Sequence, residues 1–440
     1  MQRFKFFAGF TVLLLFLYGL TVSGNDPMPN AENTIRDFSA VSKDPKRSQS
    51  NAVLPERLQR ELKLALQAYF RKAIASGDVV GAGVSIVKGD QTLLAEGFGK
   101  RDDRSGKAVD GNTVFRLGSL SKGFTGILAA DLRHEGKINW EDRVSDCIPE
   151  FRLGDQDNTR KITLGHLLSH TSGAPYHSYT NLVEAGLPLG DIAKRFEEVT
   201  PISEPGSMYS YQNALFALAG EMMAKVTGQE LTEALEQRFF NPLEMCSTTM
   251  DYEKLKALEN VAKPHVRYRR GWRSGRLTDS YFNAVAAGGI NSNAVDMGKW
   301  MQLLLGHRPE VMDAQAIKEA LTPIIKIPGR SKYYQRWPGH TASYYGLGWR
   351  IHTYASGDAP GQKTIWHHGG SVNHFRNEIA IFPEEDLGIC VLLNNNSRIA
   401  RRVIPDLYHI VQEVYRDHTG SIAGGSEVDP TSLASGSAGR

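Results

Sequence analysis

The stretches of this chain that read as β-strands fall at its two ends, and that division limits its fold more than any other feature. Near the start, VGAGVSIVKGDQTLLAEGFG reads as two strands around a turn at Gly89-Asp90. Near the end, YGLGWRIHTY, KTIWHHGG, FRNEIAIFP and LGICVLLNN each suit a strand. Between them the patterns turn helical, as in HLLSH, ALFALAGEMMAKVTG and NAVDMGKWMQLLLG. A helix is expected before the first strands, with Leu58, Leu62, Ala65, Tyr69 and Ala73 at helical spacing and Gly77 as its stop. RRVIPDLYHIVQEVYRD predicts another after the last strand. The expected fold class is therefore α/β: an antiparallel sheet completed from both ends, flanked by N- and C-terminal helices, with a mostly helical subdomain inserted. The α/β part is expected over about 56–118 and 340–418 and the helical part over about 119–339. A cleft between the two is the natural site, and 440 residues suffice for such a two-part domain.

The ends carry a different message. MQRFK is basic, and Phe6–Asn25 has no charge, the pattern of a signal peptide over 1–24 or a retained membrane anchor. Export is expected, to the periplasm or the outer face of the inner membrane, with membrane association possible through residues 6–25. Residues 25–55 read as a polar linker and 419–440 as a disordered tail. A net charge of +3 over 51 basic and 48 acidic residues argues against nucleic acid as a partner. Cys147, Cys246 and Cys390 lack zinc or redox spacing and are expected to be buried small hydrophobes, though one pair could form a disulfide.

Three short patterns carry the chemistry. Ser-x-x-Lys occurs at Ser85/Lys88, within a strand pattern, where residues three apart point to opposite faces. It recurs at Ser119/Lys122, where a helix follows and the two side chains can meet. There Ser119 is either a nucleophile or the helix cap. Tyr-x-Asn occurs at Tyr179, Tyr211 and Tyr281; only Tyr211-Gln212-Asn213 sits in a Pro-Gly loop just before a helix, although Tyr281 could still line a site. His-x-Gly occurs at His134, at a helix end, and in overlap at His367-His368-Gly369-Gly370, between strands. No metal-ligand spacing surrounds these histidines. The arginine-rich RYRRGWRSGR (267–276) reads as an exposed hairpin, with attraction of acidic peptides or phosphates at a cleft edge as the alternative.

The ordered set Ser119-x-x-Lys122, Tyr211-x-Asn213 and His368-x-Gly370 resembles the serine β-lactamase and penicillin-recognising superfamily, closest to the class C β-lactamases and their DD-peptidase and esterase relatives. VFRLGSLSKGFTG, ITLGHLLSHTSGAP, AAGGINSNAVDMGKW, YGLGW and HHGGSVNHF are similar to that branch as well, over most of 56–417. The resemblance implies an acyl-transfer site on a β-lactamase/transpeptidase-like fold. Ser119 would attack a carbonyl, Lys122 and Tyr211 would share the proton work, and Asn213 would hold the lysine and the substrate amide. His368, where many relatives have lysine, would orient a substrate carboxylate and support the tyrosine. Backbone N–H groups of Ser119 and Ser371 would form the oxyanion hole. The substrate would be a small molecule or peptide (a β-lactam, a cell-wall peptide or an ester), with no cofactor and no metal. His367 stands where relatives often have glycine, and His374 precedes Phe375; both are expected near the cleft. The competing reading is a non-catalytic protein that keeps the fold and binds or senses peptidoglycan.

Overall fold

The computed structural model describes residues 56–269, 271–355 and 362–423, with side chains through 416. The expected leader, the polar linker and most of the expected tail lie outside the described residues. Among the described residues no helix is long and apolar enough to cross a membrane.

The chain opens with helix α1 (Glu56–Ala75) and a hairpin of β1 (Gly81–Lys88) and β2 (Gln91–Gly99). Helices α2 (Ser121–His134), α3 (Asn213–Thr227) and α4 (Ala294–Leu304) dominate the middle. Then come β3 (Ile325–Lys326), β4 (His340–Tyr345), β5 (Arg350–Ala355), β6 (Gln362–Val372), β7 (Phe375–Phe382), β8 (Leu387–Leu393) and helix α5 (Val403–Ala423). The sheet has eight strands in the order β2-β1-β8-β7-β6-β5-β4-β3. Every pairing in it is antiparallel, and β1 pairs with β8 from Ala82↔Leu393 to Lys88↔Leu387. The last strand thus closes the sheet against the first, as the placement of strand patterns at both ends requires.

Two differences from the sequence reading have simple causes. YGLGWRIHTY is not one strand: β4 ends at Tyr345 and β5 begins at Arg350, with a tight Gly346–Trp349 connection between. The final helix continues to Ala423, so the first residues of the expected tail extend it.

β1 and β8 are central strands, buried on both faces. Side chains alternate between the faces. Ala82, Val84, Ile86, Ile389, Val391 and Leu393 face α1 and α5. Val87, Cys390 and Leu392 face the helical part. The buried stripe of α1 is Leu58, Leu62, Leu66, Phe70 and Ala73, rotated slightly from the expected one. Phe70 stacks on Phe98 at 4.6 Å, while Tyr69 turns aside to donate its hydroxyl to Asp406 of α5 at 2.8 Å. Each such apolar side chain contributes about 1.5–3 kcal/mol on burial. On the other face, Phe124 of α2 stacks on Trp300 of α4 at 4.1 Å and both belong to one continuous core. That core fixes α2 and α3 against the sheet, and both carry site residues.

Candidate active site

Ser119 lies in a short 3₁₀ turn, Gly118–Leu120, that leads into α2. It does not cap α2: the N-cap position is Leu120, and no side chain caps it. The turn needs Gly118, whose φ is +58°. A Cβ there would come within 2.9 Å of the Ser371 backbone, so this glycine lets the turn abut β6.

Lys122, one turn into the same element, is fully buried. Its Nζ lies 2.8 Å from Asn213 Oδ1, 2.7 Å from the Ala287 carbonyl oxygen and 3.3 Å from Ser119 Oγ. It also sits over the rings of Tyr211 and Phe216 at 4.9 and 5.3 Å. Burial, and then the Arg350 charge, hold the amine well below the usual lysine range. The Tyr211 hydroxyl donates to Ser119 Oγ at 2.9 Å. Burial pushes that phenol up to about 12, so it keeps its proton at neutral pH. Asn213 begins α3 and donates from Nδ2 to the Tyr281 hydroxyl at 3.0 Å. Ser119, Lys122, Tyr211 and Asn213 thus form one connected cluster, drawn from two helix starts and the loop before the second.

The His368-Gly370-Ser371 stretch forms the opposite edge. β6 pairs with β5 only up to His367, but with β7 as far as Val372. Residues 368–372 therefore present a free strand edge beside the cleft. Ser371 lines it. Gly370 packs inward; a Cβ there would come 2.1 Å from the Leu117 carbonyl oxygen. His368 is fully buried, with Nδ1 2.9 Å from the Gly369 carbonyl and Nε2 3.0 Å from the Tyr345 hydroxyl. The first contact requires Nδ1–H, so Nε2 accepts from Tyr345. Burial, and next the Arg350 charge, keep the ring far below the usual imidazole range, hence neutral. With both nitrogens engaged inside the protein, His368 supplies no charge for a substrate carboxylate. Its ring stands 6.5 Å from that of Tyr211 and supports it by packing alone.

The cleft that these residues line continues past Ile365 to Glu384, Ile404 and His409 beside α5, and that whole groove is about 1540 Å³, against roughly 300–1,000 Å³ for a typical small-molecule pocket. Ser119, Tyr211 and Asn213 line one side; Tyr333, Arg350, Gly369 and Arg376 line another. That leaves room for an extended substrate along the free edge of β6.

The decoy motifs fall elsewhere. Ser85 is buried in β1, while Lys88 binds the Glu385 carbonyl. Tyr179 donates to the Arg195 carbonyl at 2.9 Å and is absent from the cleft lining, whereas Tyr281 lines it. Neither extra imidazole lines the cleft. His367 is a strand residue of β6 with its ring buried on the α1/α5 face of the sheet, and His374 occupies the exposed β6–β7 turn at φ +66°. The arginine-rich segment forms a hairpin, His265–Tyr268 with Gly271–Ser274, outside the cleft lining. Its Trp272 donates to the Gly77 carbonyl at 2.8 Å. The three cysteines are unpaired, and only Cys390 is buried; Cys246 is exposed and Cys147 half-buried, so the expectation of three buried thiols holds for one.

Sequence reasoning missed three contributors. The Ala287 carbonyl is a backbone group with no side-chain signature. Tyr345, which orients His368, lies in the YGLGW stretch but carries no motif of its own. His170, tilted against Tyr211 with ring centroids 4.1 Å apart, lies in LSHTSG with φ +59°, a strained histidine that only a structure exposes.

A family model described as Beta-lactamase matches residues 66–411. The chain belongs to this β-lactamase family. Members of the family are serine hydrolases that act on small-molecule or peptide substrates. Protein flp of Staphylococcus aureus (strain MW2) is 24% identical over 357 residues, 80% of this chain and 67% of that one. Unguisins hydrolase ungD' of Aspergillus campestris is 25% identical over 348 residues, 76% of this chain and 62% of that one. The fold is similar to that of the octameric penicillin-binding protein homologue from Pyrococcus abyssi. That likeness has a TM-score of 0.67 at 24% identity and covers 80% of each chain.

Proposed function

We propose that this protein is an exported serine hydrolase that acts through a Ser119 acyl-enzyme on an amide, a β-lactam or an ester. The observation that carries the reading is the hydrogen-bond arithmetic at Lys122. A neutral amine has two N–H donors and one lone pair. Asn213 Oδ1 and the Ala287 carbonyl take the two donors, so the lone pair is left for the Ser119 hydroxyl. No carboxylate ion-pairs with Lys122 among the described residues to restore its charge. Lys122 is then the base that accepts the Ser119 proton as Oγ attacks the carbonyl. The oxyanion would lie against the backbone N–H groups of Ser119 and Ser371, where each donor is worth about 3 kcal/mol. Tyr211, still protonated, donates its proton to the leaving nitrogen or oxygen; its phenolate then takes a proton from the water that attacks the acyl carbonyl, and Lys122 returns its proton to Ser119 Oγ as that oxygen leaves. Water attacking the acyl-enzyme completes the hydrolysis.

The apolar run at residues 6–25 supports export, with the catalytic part held in the periplasm or at the outer face of the inner membrane. The size of the cleft and the free edge of β6 favour an extended substrate over a compact one. The test is a panel of penicillins, cephalosporins, short-chain esters and D-alanyl peptides, assayed with wild type and Ser119→Ala. Turnover of at least one class by wild type, lost in Ser119→Ala, is expected. Undiminished turnover by the mutant refutes the assignment and leaves the non-catalytic reading in its place.

A further inference from the structure

A chain of buried polar side chains, separate from the catalytic cluster, runs across the α1/α5 face of the sheet to a wall of the same cleft. His340 lies half-buried at the start of β4, with Nε2 2.7 Å from Ser343 Oγ. Ser343 Oγ is 2.8 Å from His352 Nδ1, and His352 Nε2 is 3.1 Å from His367 Nδ1. His367 Nε2 is 2.8 Å from Glu378 Oε2, which also accepts the Tyr333 hydroxyl at 2.7 Å. Arg376 faces Glu378 Oε1 at 3.0 Å and lies over the Tyr333 ring. Ser343, His352, His367 and Glu378 are all 2% exposed or less. Tyr333 and Arg376 line the cleft.

Each link between neighbours holds one proton, so the chain has two self-consistent states. With Glu378 ionised, His367 donates from Nε2, His352 from Nε2, Ser343 to His352 Nδ1, and His340 to Ser343. With Glu378 protonated every donor is reversed. One proton entering at His340 Nδ1 converts the first state to the second, and no ring is left charged. Burial holds His352 and His367 far below the ordinary imidazole range, as that neutrality requires. Burial raises the Glu378 carboxyl to about 7, against the pull of Arg376.

Glu378 is faced by Arg376 of its own strand, Tyr333 from the 333–336 turn, His367 of β6, Arg350 of β5 and Cys390 of β8, a neutral thiol. Arg350 carries two buried nitrogens, Nε and one terminal NH, without a hydrogen-bond partner. When Glu378 takes a proton, Arg376 loses its counter-charge and this wall of the cleft goes from one net positive charge to two.

We propose that Glu378, Tyr333, Arg376 and Arg350 form a second functional site on the sheet-side wall of the cleft, a proton-gated site for an anionic group. Its protons come from the β4 end of the sheet through His340, Ser343, His352 and His367. The site attracts an anion when Glu378 is protonated and releases it when Glu378 ionises. This goes beyond the acyl-enzyme reading and stands whether or not Ser119 is the nucleophile.

The test is a titration of the full-length protein in detergent, labelled with ¹⁵N-histidine, from about pH 5.5 to about 8.5. Ring signals of His352 and His367 are assigned with His352→Gln and His367→Gln. The proposal expects both rings to exchange Nδ1–H for Nε2–H together, with a single midpoint near neutrality. Acetate, as a probe anion, should move that midpoint up by at least half a pH unit. Ser343→Ala should uncouple His340 from the other two. Rings that keep fixed tautomers across the range, or that charge one by one, overturn the relay. A midpoint indifferent to acetate overturns the anion site.

Discussion

Replacing Lys122 by methionine tests the assignment of a neutral amine as the base. Methionine matches the length of the lysine stem, with sulfur in place of Cδ, and removes the nitrogen. Two contacts are lost within the protein, to Asn213 Oδ1 and the Ala287 carbonyl, at about 1 kcal/mol each. Against that, an amine that is fully buried and without a counter-ion no longer has to be desolvated, a gain of similar size. Stability should therefore change by no more than about 2 kcal/mol in either direction. Activity should not be so forgiving. A positioned general base contributes roughly 10²–10⁴-fold, or about 3–5.5 kcal/mol of transition-state stabilisation. The assay is kcat/KM on whichever substrate the panel identifies, beside a thermal or urea unfolding curve for the same preparations. A folded Lys122→Met protein that retains more than about a tenth of wild-type turnover would refute the reasoning. In the wild type the sign of the pH dependence follows from the lowered amine. The base is neutral above its depressed pKa, so kcat/KM should be level above that pKa and fall below it, with the fall lying well under the pH at which an ordinary lysine titrates.

Three other outcomes are expected. Tyr211→Phe removes the donor at 2.9 Å from Ser119 and should slow turnover by about 10²-fold or more, whereas Tyr179→Phe should leave the rate unchanged. Tyr281→Phe, which removes the hydroxyl that holds Asn213, should cost about tenfold in kcat with little change in stability, measured by parallel kinetics and unfolding. The protein should be acid-labile: His170, His352, His367 and His368 are all held neutral well below the usual imidazole range. Below about pH 6.5 the unfolded chain binds protons at these positions and the folded one does not, so stability is lost as pH falls. Glu378 acts in the opposite sense, since its raised carboxyl takes a proton earlier in the folded state, but it is one group against four. Urea midpoints at pH 7, 6 and 5 should fall steadily; a midpoint that rises would contradict the burial of these rings.

The residues legible in the sequence are those whose partners are local or whose setting is punctuated. Ser119 and Lys122 could be paired because residues three apart at a helix start share a side, and the strand copy at Ser85/Lys88 could be rejected because residues three apart on a strand point to opposite faces. Tyr211 stood out through its Pro-Gly loop. The eight-stranded sheet was legible in outline because short β-branched and apolar runs at the two ends of the chain are bounded by turn residues, β8 being apolar throughout, although the split between β4 and β5 hid behind two glycines. What stayed hidden depends on contacts far apart along the chain. The Ala287 carbonyl meets Lys122 across 165 positions, and a carbonyl leaves no trace in residue identity. His367 was noticed as one half of an overlapping His-x-Gly pattern and as a departure from relatives. Its role depends on Glu378, His352 and Tyr333 arriving from three other elements, which no spacing rule reports. His368 was expected to orient a substrate carboxylate and support the tyrosine, but the Tyr345 hydroxyl and the Gly369 carbonyl occupy both its nitrogens.

The central claim is a covalent acyl group on Ser119. The most direct measurement is intact mass of the protein after incubation with the β-lactam and ester panel, quenched at short times and followed by peptide mapping. If Ser119 is the nucleophile, an adduct forms on the peptide that contains Ser119. It should persist if the protein holds the drug and clear with free product if it hydrolyses it, and it should be absent from Ser119→Ala. An adduct on any other residue, or labelling of Ser119→Ala as readily as wild type, would contradict it.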